Sequence, residues 1–239
     1  MSLDGRPGRQ SDASAGRFAP SPTGDLHLGN LRTALVAWLS ARSQGLGFRV
    51  RMEDLDRVTS SVAIEQGQLR DLAALGIDWD GAVVRQSERF DRYEAAISAL
   101  RAQGRVYECF CTRREIREAA RAPHGEGGDG GDSGTYPGTC RTLGVSRRRE
   151  LIEAGRPPAL RLRADATEVE VIDELAGRSV GVVDDVVLRR NDGVPAYNLA
   201  VVVDDAAQHV AEVVRGDDLL SSTPRQVLLQ RLLDLPTPR

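Results

Sequence analysis

The chain has 239 residues, of which 41% are apolar and 28% charged, with a formal net charge of −3 and a pI near 5.7. That length buries a core as one large domain or as a domain carrying an insertion, and no apolar run approaches the ~20 residues that a membrane span needs. The acidity excludes a general polyanion binder but leaves room for nucleic acid held by a local patch.

All 32 basic residues are arginine. Schiff-base chemistry, a P-loop lysine and pyridoxal phosphate attachment are therefore excluded, and catalysis must run on arginine, histidine, backbone amides or a metal. Three cysteines in a chain without a signal-peptide pattern argue against disulfides and for a cytoplasmic protein.

Residues 1–16, MSLDGRPGRQSDASAG, are polar and read as a disordered tail. From Leu28 onward Leu28, Leu31, Leu35, Trp38 and Leu39 recur at helical spacing, with Gly45 as the stop. GFRVRMEDLD alternates Phe48, Val50 and Met52 against Arg49, Arg51 and Glu53, the pattern of a strand. A helix is expected from Ser61 to Leu75 with Leu69, Leu72 and Leu75 facing inward, then a short strand in IDWDGAVVRQS and a helix from Arg89 to Gln103. This alternation predicts an α/β sheet of Rossmann type with crossover helices, assigned here to residues 17–104 and 192–239.

The texture changes near Arg105, and residues 105–191 read as a smaller inserted subdomain. Its glycine-rich APHGEGGDGGDSGTYPGTC cannot pack and is expected to be mobile, whereas ALRLRA and VEVIDEL alternate as antiparallel strands. YNLAVVVDD is expected to return as a buried strand of the main sheet. HVAEVVRG is a further strand, and STPRQVLLQRLL a helix with Ser222 or Thr223 as N-cap and Pro224 in its first turn.

The stretch GRFAPSPTGDLHLGNLRTALVAWL carries the first chemical signal. A glycine-bearing loop before a helix exposes N–H groups at the positive end of the helix dipole, where phosphates bind, and a histidine in the first turn adds a donor. The plainer reading is that Gly24 and Gly29 serve turns and His27 caps the helix. Pro20 and Pro22 favour the ligand reading, because two prolines stiffen the loop before any ligand arrives.

Cys109 and Cys111 form a C-x-C pair, with Cys140 beyond the glycine-rich loop. Three thiolates suggest structural zinc, which takes four ligands in a tetrahedron. Chemistry favours His124 for the fourth place and proximity to Cys140 favours Tyr136; three reduced cysteines without metal is the plain alternative.

RFAPSPTGDLHLGN resembles the first signature of the class I aminoacyl-tRNA synthetases, in the form used by glutamyl and glutaminyl enzymes. RMEDLDR, AYNLAVVVDD and VVRGDDLLSSTPRQ follow in the same order, so the resemblance covers about Arg17 to Pro236. Within that family the chain is most similar to the short paralogues, the glutamyl-queuosine tRNA(Asp) synthetases. The resemblance implies a Rossmann-type catalytic domain with a connective insertion and no anticodon-binding domain. It also implies ATP-dependent activation of L-glutamate, with Mg²⁺ beside the ATP, and transfer to the queuosine base of tRNA(Asp). His27, Gly29 and Asn30 are the implied catalytic and ATP-binding positions. Arg17, Phe18, Ala19, Pro20, Ser21, Glu53, Tyr197 and Arg215 are the implied glutamate contacts, and Cys109, Cys111, Tyr136 and Cys140 the implied metal ligands.

The chemistry of these residue types fits such roles. Arg17 and Arg215 can fork a carboxylate, Glu53 can hold an ammonium, and Tyr197 can donate from its hydroxyl. Taken without the surrounding motifs, Glu53 and Arg215 read as solvated strand-end charges. The family's lysine-rich second signature is missing from a chain that ends LDLPTPR, so the chain reads as truncated, the rival being a protein that binds without catalysing. Three other readings stand beside the first: the catalytic part of an ordinary glutamyl-tRNA synthetase, a small-molecule nucleotidyltransferase, and a non-catalytic nucleotide- or RNA-binding module. A monomer is expected.

Overall fold

The computed structural model describes residues 14–112, 114–116 and 136–239. His124 and most of the glycine-rich stretch lie outside them. The strand β1 (Ala15–Phe18) begins inside the segment read as a tail, so residues 15 and 16 belong to the folded sheet. It is followed by α1 (Leu28–Ser43), β2 (Gly47–Met52), α2 (Val62–Ala74), β3 (Val84–Arg85) and α3 (Phe90–Ala102). Next come β4 (Val106–Cys109), α4 (Val145–Glu153), β5 (Ala159–Leu162), β6 (Thr167–Asp173), β7 (Gly177–Val183) and β8 (Val187–Arg189). The described chain closes with α5 (Tyr197–Ala207), β9 (Val210–Glu212) and α6 (Thr223–Leu232).

The main sheet has the order β3-β2-β1-β9, and every pairing in it is parallel. From β1 the chain steps outward through β2 to β3, and it returns on the other side of β1 only at β9. That reversal makes the carboxyl ends of β1 and β9 a topological switch point, where open α/β sheets leave a crevice. The antiparallel sheet β4-β5-β8 and the hairpin β6-β7 lie apart from this sheet.

The helix α1 ends where it should: Gln44 is its C-cap, and Gly45 takes the left-handed φ of 72° that a following glycine tolerates. Its inward face differs from the expected leucine stripe. Ala34, Ala37 and Ala41 are buried, whereas Leu28 is 83% exposed and Leu35 and Leu39 also face out. The helix lies so close to β1 that a Cβ on Gly16 would sit 2.9 Å from the Ala41 Cβ, so only small side chains fit there.

The strand β2 is buried at all six positions, so its alternation does not separate core from solvent. Arg49 donates to the Asp80 carbonyl at 2.8 Å, and Arg51 is held by side chains described below. In α2, Leu69 and Leu72 are buried as expected, whereas Leu75 has become the exposed C-cap.

YNLAVVVDD is helical, which corrects the expected strand. A segment buried on most sides looks alike as helix or strand, and its valines favoured the strand. Packing against α3 and α6 decides otherwise, placing Leu199, Ala200 and Val202 in a core shared with Tyr93, Ile97, Leu162, Val169 and Leu229. That core joins the segment read as an insertion to α3, α5 and α6. Asp204, at its buried end, accepts from Tyr93 Oη at 2.7 Å, Arg89 Nε at 2.6 Å and Gln86 Nε2 at 3.1 Å.

The last helix has no side-chain cap. A 3-10 turn over Asp217–Ser222 runs straight into it, and Ser222 spends its hydroxyl on the Leu219 carbonyl. No helix of the described residues is long and apolar enough to cross a membrane.

Candidate active site

A cleft of ≈ 700 Å³ opens at the carboxyl ends of β1 and β9. β1 delivers Arg17 and Phe18 to it, and the loop that follows delivers Ala19, Pro20 and Ser21. Glu53 enters from the end of β2, Tyr197 from the first residue of α5, and Arg215 from the segment after β9. His27, Gly29 and Asn30 line it from the head of α1. All eleven residues marked for glutamate or ATP thus line one cleft, although they span nearly two hundred positions of sequence.

Three guanidiniums gather at this end of the cleft, Arg51 and Arg17 in ion pairs and Arg215 without one among the described residues. Arg51 is completely buried and donates to Asp205 at 2.7 Å, Gln208 at 3.0 Å and Glu53 at 3.2 Å. Arg17 lies 3.6 Å from the same Asp205 oxygen and donates to the Val214 carbonyl at 3.4 Å, and its buried Nε makes no hydrogen bond. Arg215 bonds neutral partners among the described residues, Gln226 at 2.9 Å and the Thr223 hydroxyl. Arg17 and Arg51 thus share Asp205 and Arg51 also meets Glu53, whereas Arg215, in a cleft that Asp25, Asp217 and Asp218 also line, is left to neutral partners and suits an incoming carboxylate.

The ionisation shifts follow from this crowding. Burial and the neighbouring Arg17 charge lower the Arg215 guanidinium, the signature of a cation short of anionic partners. Burial raises the Glu53 carboxyl, against the pull of Arg51 and Arg17. Burial and the Glu53 charge raise the Tyr197 phenol, which keeps its proton available for donation. Neither Glu53 nor Arg215 is a solvated strand-end charge, since both are partly buried.

His27 is the N-cap of α1 rather than a residue of its first turn. Its Nδ1 accepts from the amides of Gly29 at 3.0 Å and Asn30 at 3.4 Å, while the Asn30 side chain accepts from the His27 amide at 3.3 Å. The two amides expected to face a phosphate are therefore already engaged by the imidazole. With Nδ1 an acceptor, the neutral ring carries its proton on Nε2, so the donor left for an anion is the imidazole itself. Capping and anion binding are compatible because they use different nitrogens.

Two sets of residues went unmarked in the sequence. Asp205, at the end of the segment expected to be a strand, and Gln208, the C-cap of the helix found there, together hold Arg51. Gln68 lines the cleft from α2 and donates to the carbonyls of Ser21 at 3.0 Å and Gly24 at 2.8 Å. Its signal was available: with Leu69 and Leu72 it falls on the inward stripe of α2, where an unpartnered polar side chain is costly.

The sulfurs of Cys109, Cys111 and Cys140 lie within 4.8 Å of one another. The Tyr136 hydroxyl is 3.4 Å from Cys109 Sγ and 4.0 Å from Cys111 Sγ, and it accepts from the Cys140 amide at 2.8 Å. Burial, the hydrogen bond it shares with Cys140 and the Cys109 charge push the Cys111 thiol up to about 12. For Cys109 burial acts upward, but Tyr136, the Cys111 amide and Arg161 outweigh it and lower the thiol. Three convergent thiols with a phenol oxygen beside them can hold a metal ion with four ligands. The His124 alternative lies outside the described residues.

A family model described as "tRNA synthetases class I (E and Q), catalytic domain" matches residues 15–239. The chain is 64% identical over 224 residues to the "Glutamyl-Q tRNA(Asp) synthetase" of Nocardia farcinica, covering 94% of this chain and 70% of that protein. Its identity to the protein of the same name from Symbiobacterium thermophilum is 47% over 234 residues, covering 93% and 72%. Among solved structures it superposes at a TM-score of 0.80 and 30% identity on a glutamate tRNA ligase from Elizabethkingia meningosepticum in complex with its amino acid. That match takes in 95% of this chain and 48% of the ligase, about half its length. The conjunction of motif order, parallel-sheet crevice and matched length has one consequence: the chain belongs to the family of class I tRNA synthetases of the E and Q type, within their catalytic domain.

Proposed function

We propose that this chain activates L-glutamate with ATP and passes the glutamyl group to the queuosine base of tRNA(Asp), as the names of its curated relatives suggest. In the first step the glutamate α-carboxylate attacks the α-phosphorus of ATP; the new O–P bond forms as the bond to pyrophosphate breaks. Positioning and charge neutralisation carry such a step. Arg17 and Arg215 hold the substrate's side-chain carboxylate, Glu53 its ammonium, and Tyr197 donates a hydrogen bond, while His27 Nε2–H meets a phosphate oxygen with Gly29 and Asn30 shaping the loop. Mg²⁺ bound with ATP would supply the positive charge at the phosphates that no lysine of this chain can provide.

The observation that carries the reading is Arg215, bonded to neutral partners and set beside Arg17 in the same cleft as the His27 cap. The metal held by Cys109, Cys111, Tyr136 and Cys140 is taken to be one structural zinc ion, since four protein ligands leave no position open for water. Residues 105–191 are taken as an inserted connective subdomain within a catalytic domain formed by 15–104 and 192–239. The protein is taken to act as a cytoplasmic monomer.

The likeness to a glutamate tRNA ligase favours a second reading, an ordinary glutamyl-tRNA synthetase domain. ATP–pyrophosphate exchange separates the two. Exchange driven by glutamate, not by glutamine or aspartate, and occurring without tRNA is the expected result. Exchange that requires tRNA supports the second reading, and no exchange under either condition removes both.

A further inference from the structure

The loop between β1 and α1 has an unusual arrangement of its carbonyls. Pro20 O accepts from the Glu53 amide at 2.9 Å and Pro22 O from the Ser61 amide at 3.0 Å. Ser21 O and Gly24 O both accept from one side-chain amide, Gln68 Nε2, at 3.0 and 2.8 Å. Four of the five carbonyls from Pro20 to Gly24 are thus engaged by Glu53 just after β2, the α2 N-cap Ser61 and Gln68 of α2, and a carbonyl so engaged is not presented to a polyanion. Gln68 is 2% exposed. Its Oε1 is buried without a hydrogen-bond partner among the described residues. The amide cannot be turned to relieve that oxygen, because both loop carbonyls need a donor. Gln68 therefore leaves an acceptor unmet in order to tie two points of the loop together, an arrangement that core packing alone does not call for.

We propose that Gln68 is a positioning residue for the anion-binding loop: by clamping Ser21 and Gly24 it sets the approach of the loop to His27 and holds the imidazole where ATP phosphate is bound. The inference rests on the adenylate-forming reading of the cleft. It assigns Gln68 no contact with substrate, only control of the loop that makes the contact.

The test uses the full chain with Gln68→Leu, which keeps the bulk and removes the donors, and Gln68→Glu, which keeps the shape and replaces the donor by an acceptor. Leu72→Ala, in the core face of the same helix, controls for lost stability. Amide hydrogen exchange over residues 21–27 without ligand should quicken in both Gln68 variants and not in Leu72→Ala when the three are compared at equal stability. In glutamate-dependent exchange, both variants should raise the KM for ATP about tenfold or more. Neither should add appreciably to the loss caused by His27→Ala, since residues acting through one another are non-additive. Unchanged loop exchange, or a loss fully additive with His27→Ala, overturns the proposal. Wild-type protein inactive in pyrophosphate exchange would instead refute the adenylate reading, and loop exchange would still decide the clamp. Should Gln68→Leu not fold, Gln68→Met carries the same comparisons.

Discussion

The His27 imidazole lies directly over the backbone of Gly29: Nδ1 accepts the Gly29 amide at 3.0 Å, and a Cβ on Gly29 would sit 2.8 Å from His27 Cε1. The glycine is thus required by the histidine and not by its own backbone angles. Gly29→Ala should drive the ring off the cap and misplace its Nε2 donor, lowering kcat/KM for adenylate formation by about 10²-fold. Far-UV circular dichroism should change little, and activity within threefold of wild type would show that the ring position is not critical.

Arg215 sits among neutral partners and is destabilised by burial and by Arg17. Arg215→Ala should therefore leave the fold intact and weaken glutamate binding by about 2–5 kcal/mol, the loss typical of a truncated charge pair shielded from water. Calorimetry with glutamate measures this directly, and an unchanged affinity removes Arg215 from the carboxylate site.

Arg51 plays a different part. It is completely buried and bonds Asp205, Gln208 and Glu53. Arg51→Met should cost about 3–5 kcal/mol of stability, because two carboxylates lose their buried partner. Urea unfolding reads the loss; a cost below 1 kcal/mol would mean that water reaches the pair.

Burial holds the Glu53 carboxyl above its ordinary value of 4.5, with Arg51 and Arg17 pulling the other way. The folded state then keeps the proton longer than the unfolded chain does. This contribution to stability is fully present below the ordinary value and is lost as pH rises through the raised one. The Tm of substrate-free Glu53→Gln should therefore gain on wild type as pH rises through that window, while glutamate binding disappears. A Tm difference that does not vary with pH would contradict the shift.

Protein purified without added zinc should contain close to one zinc ion per chain. Cys140→Ser should lose the metal and loosen residues near the cluster while the α/β sheet keeps its far-UV signal. Tyr136→Phe should speed metal loss to a chelator, because the phenol oxygen sits 3.4 Å from Cys109 Sγ, and His124→Ala should not. Absence of metal from every preparation would leave three reduced thiols without a metal.

What the sequence determined by itself was local or ordered along the chain. The stop at Gly45, the strand–helix alternation through Gln103, the C-x-C pair and the order of the synthetase motifs depend on neighbouring residues, and each was readable from spacing. Tertiary structure decided the rest, because the deciding contacts come from far along the chain. Helix or strand for residues 197–207 was settled by packing on α3 and α6, and the inward face of α1 by the glycine opposite Ala41. Arg51 looks like the polar side of a strand until Asp205, 154 positions away, is brought to 2.7 Å. Gln68 likewise acquires a purpose only when the fold lays α2 beneath the loop at Ser21 and Gly24. A side chain's partners depend on the whole path of the backbone, and periodicity records only which of its sides are apolar.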